Sequence, residues 1–308
     1  MDDYLTSTEP WRQRRRPGWR LASCVAAALA LGPVGLACGG DDAADLASAT
    51  GADVARLHVT AREDPGAPMG DRDEFDMPDQ VPAGAARLSV TNEGDEEHHA
   101  QLFRLEDGAT VEELSDALAT SGPAAAAVFG EFVGGTGLVA PGSESRADAV
   151  VELTPGTNVL LCLVPDSAGA PHLAHGMLRQ FEVADTDDPP ALPPADADVE
   201  LVDYAFDLPD TIDGNAGLRI TNAGSEPHEM IVLRLDDGAT ADDVAHALAE
   251  GAPPPGTAVG GMQALLPGAT QQLQLDLEPG DYAVICHVPS PDGTPHHVRG
   301  MIRQVTVK

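Results

Sequence analysis

The chain has 308 residues and a formal net charge of −33, from 50 acidic against 17 basic side chains. That length is too great for one typical small domain and suits two, while the charge excludes nucleic acid as a partner, because affinity for phosphate backbones rests on Lys and Arg. With aromatic residues at only 4%, any core has to be built from Val, Leu, Ile and Ala.

Residues 1–37 read as a signal peptide: an Arg-rich start is followed by a short apolar stretch, Leu21 to Ala37, broken by Gly32-Pro33. The stretch falls short of the roughly 20 residues of a spanning helix, and an uncleaved single anchor is the alternative. Its end, Gly35-Leu36-Ala37-Cys38, resembles the lipobox of prokaryotic lipoproteins, which implies lipidation at Cys38 and a folded part outside the cytoplasm. Gly35 stands where that motif has Leu; Leu21-Ala22-Ser23-Cys24 spells it better but lacks a preceding apolar segment. Arg15-Arg16 loosely resembles a twin-arginine signal. Residues 38–52 are small and polar, a tether from membrane to first domain.

The first domain is expected over 53–184. Within it, Thr110 with Glu113 signals a capped helix from Val111 to Ala119, with Val111, Leu114 and Leu118 on one face. Pro189-Pro190-Ala191-Leu192-Pro193-Pro194, inside an acidic stretch spanning 185–197, reads as a stiff linker that separates the halves.

The second domain is expected over 198–308. Strand signals run over Val199–Tyr204, Gly217–Thr221, Gln272–Leu277, Gly280–Val288 and Met301–Val307, punctuated by Asp213-Gly214-Asn215, Pro267-Gly268 and Glu278-Pro279-Gly280. Thr240 with Asp243 caps a helix over Ala241–Ala249, with Val244 and Leu248 facing inward. The expected class is all-β: two tandem Greek-key β-sandwiches, each with one inserted short helix.

The two halves repeat one pattern. Cys162, Pro171-His172 and Gly176-Met177 recur at the same spacings as Cys286, Pro295-His296 and Gly300-Met301. Upstream, Asn92-Glu93-Gly94-Asp95-Glu96-Glu97-His98 aligns with Asn222-Ala223-Gly224-Ser225-Glu226-Pro227-His228. A thiolate, two imidazoles and a weak axial thioether form a soft donor set suited to copper and to electron transfer. Each half thus owns one quartet: His98, Cys162, His172, Met177 and His228, Cys286, His296, Met301.

On these residues the chain resembles the cupredoxin superfamily, the blue-copper fold of plastocyanin, azurin and rusticyanin. Phe75-Asp76-Met77-Pro78 and Phe206-Asp207-Leu208-Pro209 resemble its first-strand signature, and the His-x-x-x-Gly-Met endings are similar to that of rusticyanin. The resemblance implies one copper per domain on those quartets, single-electron transfer, no enzymatic activity, an unidentified redox partner protein, and contact with membrane only through the lipid anchor. One departure stands out: nine residues separate Cys from the second His in each half, more than is usual in mononuclear blue-copper proteins.

Other readings compete. In a metal-free interaction module Cys and Met would be ordinary core residues, and the same donors would serve copper storage or delivery. A Cys162–Cys286 disulfide is disfavoured, since equivalent positions in separate domains would have to approach within about 7 Å. His99, His175, His287 and His297 adjoin the proposed ligands and could substitute for them, whereas His58 and His246 read as surface residues. His287 follows Cys286 as in multicopper oxidases, but the chain has no His-x-His pair to hold a trinuclear cluster.

Overall fold

The computed structural model describes residues 54–64, 66 and 72–308. The signal peptide, Cys24, Cys38 and the tether lie outside the described residues.

The first half runs β1 (Ala55–Glu63), β2 (Asp73–Asp76), β3 (Gln80–Pro82), β4 (Gly84–Asn92), β5 (His98–Leu105), α1 (Val111–Ser121), β6 (Gly130–Val139), β7 (Ala147–Leu153), β8 (Gly156–Leu161) and β9 (Leu178–Ala184). The second half repeats it as β10 (Ala197–Val202), β11 (Ala205–Asp207), β12 (Thr211–Ile212), β13 (Gly217–Asn222), β14 (His228–Leu235), α2 (Ala241–Ala249), β15 (Gly256–Leu265), β16 (Thr270–Leu275), β17 (Gly280–Ile285) and β18 (Ile302–Val307). The expected all-β architecture with one short α-helix per half is what forms. Both helices start at the predicted threonine, each closing a reciprocal capping box with Glu113 or Asp243.

Alternation in the strands sets the layers. In β1 the residues Leu57, Val59 and Ala61 face inward while Arg56 and His58 face solvent, and Val199 and Leu201 repeat this in β10. One sheet of the first half orders β2-β1-β4-β7, with β1 and β4 parallel; the other orders β3-β9-β8-β5-β6. Between them lies a core of Val59, Leu88, Val90, Leu102, Leu160 and Phe181, matched in the second half by Leu201, Leu218, Ile220, Val232, Val284 and Tyr282. α1 lays Leu114 and Leu118 over Phe103, Val159 and Leu161, and α2 lays Val244 over Leu233, Ala283 and Ile285.

The halves are not held apart by the proline-rich segment. Pro190 accepts a hydrogen bond from Ala85 N at 2.7 Å and Pro193 one from Gln272 Nε2 at 2.9 Å, so the segment lies docked on both. Strand β7 pairs antiparallel with β16, Leu273 opposite Ala149, and β6 pairs with β15, Met262 opposite Thr136. Ala149 and Leu273 are equivalent residues, each opposite the corresponding leucine, Leu88 or Leu218, of its own half. Equivalent strands meeting antiparallel at equivalent residues is the pattern of a two-fold relation. Both sheets therefore run without interruption from one half into the other.

Candidate metal centres

Each centre is assembled from two strand ends and the loop between β8 and β9, or β17 and β18. His98 and His228 open β5 and β14; Cys162 and Cys286 follow directly on β8 and β17. The Asn that precedes each first His explains how the chain turns there. Asn92 Nδ2 donates to Glu96 O at 2.7 Å and Val139 O at 2.9 Å while its Oδ1 accepts from Gly94 N; Asn222 makes the same three bonds around Glu226, Leu265 and Gly224. Gly94 is required, because a Cβ there would stand 2.9 Å from His98 Nε2 and 2.5 Å from Glu63 Oε1.

The long interval between Cys and the second His closes as a hairpin-like excursion. Pro165 and Pro171 bridge across it, as do Pro289 and Pro295, and the returning His172 N and His296 N donate to Val164 O and Val288 O, both at 2.9 Å. A short 3₁₀ turn then carries His172–His175 or His296–Arg299 and ends at Gly176 or Gly300, both at φ 107°, a left-handed conformation suited to glycine. That turn brings Met177 N to His172 O at 3.1 Å and Met301 N to His296 O at 3.0 Å. The extra length thus forms an outward loop without displacing the donors.

In the first centre His98 Nδ1 and His172 Nδ1 stand 2.9 Å apart, and Cys162 Sγ lies 3.9 Å from the former and 3.6 Å from the latter. In the second, His228 Nδ1 and His296 Nδ1 are 3.0 Å apart and Cys286 Sγ lies 3.4 Å from His296 Nδ1. All six residues are buried, and within each trio one donor atom per residue lies within 4.8 Å of the others. Met177 and Met301 are fully buried in the apolar clusters that contain Cys162 and Cys286, and their backbone carbonyls accept from the cysteine N at 3.1 Å.

Every inward-turned imidazole is held from behind by a carboxylate. His98 Nε2 meets Glu63 Oε1 at 2.8 Å and His172 Nε2 meets Glu96 Oε2 at 2.8 Å; His228 Nε2 meets Asp203 Oδ1 at 2.7 Å and His296 Nε2 meets Glu226 Oε2 at 2.9 Å. An ionised carboxylate only accepts, so Nε2 carries a proton and, in a neutral imidazole, Nδ1 presents a lone pair. For Glu63, burial opposes the charge, but donation from the Glu96 and Asp95 backbone and from His98 prevails and its pKa falls below the usual range. Ser225 leads the groups holding the Asp203 pKa down, and His296 followed by Tyr204 does so for Glu226.

Two lone pairs about 3 Å apart inside a dry core repel unless something positive lies between them. Bonds of about 2.0 Å to nitrogen and about 2.3 Å to sulfur place the nitrogens of one ion roughly 3.3–3.5 Å apart and sulfur roughly 3.5–3.7 Å from each. The sulfur distances of 3.9 and 3.6 Å in the first centre and 3.4 Å to His296 in the second fall within or close to that range, and the imidazoles need part by only a few tenths of an ångström. Burial, then the neighbouring His172, keeps His98 neutral by lowering its pKa; burial does the same for His228. Burial pushes the Cys162 thiol up to about 12 and raises Cys286 likewise, so an ion must displace a proton from each. The two donor sets fit one copper ion per half.

Among the neighbours, His99 Nε2 accepts from Leu163 N at 2.7 Å and Glu229 Oε1 accepts from His287 N at 2.7 Å, equivalent props beside each cysteine. His175 is paired with Asp166 at 2.9 Å, while His287 and His297 meet edge to face at 5.0 Å between ring centroids. Neither pair enters a metal-ready trio among the described residues. His58 and His246 are exposed, and Cys162 and Cys286 are both free thiols. The carboxylates are what sequence reasoning missed, although Glu96 and Glu226 keep their place in the aligned Asn-x-Gly-x-Glu-x-His segments.

Fold and site together give a cupredoxin-like fold with two candidate copper sites. No family model and no curated protein matches the sequence. Similar solved structures include dithionite-reduced auracyanin from the photosynthetic bacterium Roseiflexus castenholzii (18% identity over 36% of this chain and 95% of that one, TM-score 0.26). Reduced rusticyanin is similar at 21% identity over 43% of this chain and 81% of the other, with TM-score 0.27. The blue copper oxidase from Nitrosomonas europaea is similar at 14% identity over 83% of this chain and 86% of the other, with TM-score 0.23.

Proposed function

We propose that this chain is an exported, lipid-anchored electron carrier with two type 1 copper sites, His98, Cys162, His172, Met177 and His228, Cys286, His296, Met301, and that it transforms no substrate. The observation that carries this reading is the pair of inward-facing Nδ1 atoms beside a buried cysteine, built twice from equivalent residues. Copper, when bound, supplies a one-electron couple. The protein's part is to hold two neutral imidazoles and a thiolate in fixed orientation, to exclude water, and to keep a thioether within the same core.

Support for the anchor rests on the Cys38 segment, and no helix among the described residues is long and apolar enough to cross a membrane. The partner is a redox protein that approaches an acidic surface. A second reading, copper capture and holding, is favoured by one feature: His172 and His296 are 1% and 0% exposed, so neither imidazole offers an open edge to a partner.

Adding copper(II) to the purified protein separates these readings. An intense visible thiolate-to-copper band with two ions per chain supports electron transfer. Tight, colourless copper(I) binding supports holding, and absence of binding sinks both.

A further inference from the structure

The four carboxylates behind the imidazoles are the part of each centre that a donor set alone does not require. Glu63 and Asp203 lie at the ends of equivalent first strands, and Glu96 and Glu226 in equivalent loops. Each reaches one ligand imidazole, at 2.7–2.9 Å, and none reaches the sulfur. The loops bearing Glu96 and Glu226 are fixed by the Asn92 and Asn222 bonds to those residues' own carbonyls. Second-half reinforcement goes further: Tyr204 OH donates to Glu226 Oε1 at 2.9 Å, Ser290 Oγ donates to Tyr204 OH at 3.2 Å, and the Tyr204 ring lies 4.9 Å from that of His296.

We propose that Glu63, Glu96, Asp203 and Glu226 are positioning residues that fix Nδ1 as the ligating atom of each histidine and whose charge favours copper(II) over copper(I). This rests on the copper reading above. Two consequences of the geometry carry it. An acceptor behind Nε2 leaves the imidazole a single useful lone pair, aimed at its partner. A negative charge one ring away from the ion stabilises the more positive oxidation state, and carboxylate partners of ligand histidines commonly change metal affinity 10- to 100-fold when removed.

The test uses the full chain with Glu96→Gln, Glu226→Gln and the corresponding alanine variants. Glutamine keeps the size and still accepts from Nε2 through its carbonyl oxygen, so it removes charge alone; alanine removes charge and hydrogen bond. In metal-free protein, ¹⁵N NMR of the imidazoles should show the Nε2–H form for His98, His172, His228 and His296. His172 alone should shift toward the other tautomer in Glu96→Ala, and His296 alone in Glu226→Ala.

In copper-loaded protein each glutamine variant should lower the copper(II)-to-copper(I) affinity ratio about tenfold at its own site. That is a potential about 59 mV higher, with the other site unmoved. Unchanged tautomers in the alanine variants, or an unchanged ratio in the glutamine variants, would overturn the proposal. A wild type that shows the four tautomers yet takes up no copper would instead overturn the electron-carrier reading.

Discussion

The two centres share their donors and differ in what surrounds them. In the second half Glu226 is gripped by His296 and Tyr204, and Arg299 lies 5.2 Å above the Tyr204 ring while pairing with Asp292. In the first half the sequence between β1 and β2 contains no tyrosine, and Glu96 keeps 45% of its side chain exposed against 21% for Glu226. The residue after the first histidine also differs, neutral His99 in one half and Glu229 in the other, its carboxyl pushed up to about 7 by burial. Between the copies the inner trio is identical, whereas two of its supports are replaced by groups of the same hydrogen-bonding role, Glu63 by Asp203 and His99 by Glu229.

The sharpest way to break the equivalence is to remove one sulfur. Cys162→Ser and Cys286→Ser should each halve the copper content measured by elemental analysis, and the double variant should bind none. Two ions retained in either single variant would show the sites are not where we place them.

Next in size is the junction. Leu273 is fully buried opposite Ala149, so Leu273→Ala should cost about 2–5 kcal/mol in denaturant unfolding, whereas a loss confined to the second half's signals would mean the halves unfold independently.

The pH dependence follows from the thiols. Their pKa values are raised by burial, Cys162 to about 12, so the metal-free thiol is protonated throughout the neutral range and binding must release its proton. Affinity should therefore rise about tenfold per pH unit per site between about pH 7 and 9, one proton each. His98 and His228, with pKa values lowered by burial, are neutral there and add nothing to the slope. Competition titrations at two pH values check this, and a slope of two protons per site would point to an imidazole that titrates as well.

Smallest is Tyr204→Phe, which removes the hydrogen bond to Glu226 and the one accepted from Ser290. It should destabilise by about 1 kcal/mol and speed copper loss from the second site only, read as the dissociation rate into a chelator.

Much of this was legible in the sequence because the chemistry is written twice. The capped helices and the Cys, His and Met spacings stand out when the halves are aligned, and their backbone reasons are local: a threonine cap, an Asn-x-Gly turn, a glycine ending a 3₁₀ turn. The carboxylates were hidden by abundance, since nothing marks Glu63 or Asp203 among 50 acidic residues. Only the fold shows that these two approach histidines 35 and 25 positions away. The docking of the proline-rich segment was equally invisible, because proline composition reports stiffness and not what its carbonyls meet. Helix α1 extends to Ser121, two residues past the expected end, where Gly122 closes it by donating to Leu118 O.

The meeting of β7 with β16 carries a consequence for the exposed margins of the molecule. A sandwich that ends in an open strand offers unsatisfied amides to any passing chain. Here each lobe spends that vulnerable margin on its twin, and covalent linkage keeps the twin always at hand. Cutting the molecule between its lobes would leave the β7 and β16 borders unpaired at once.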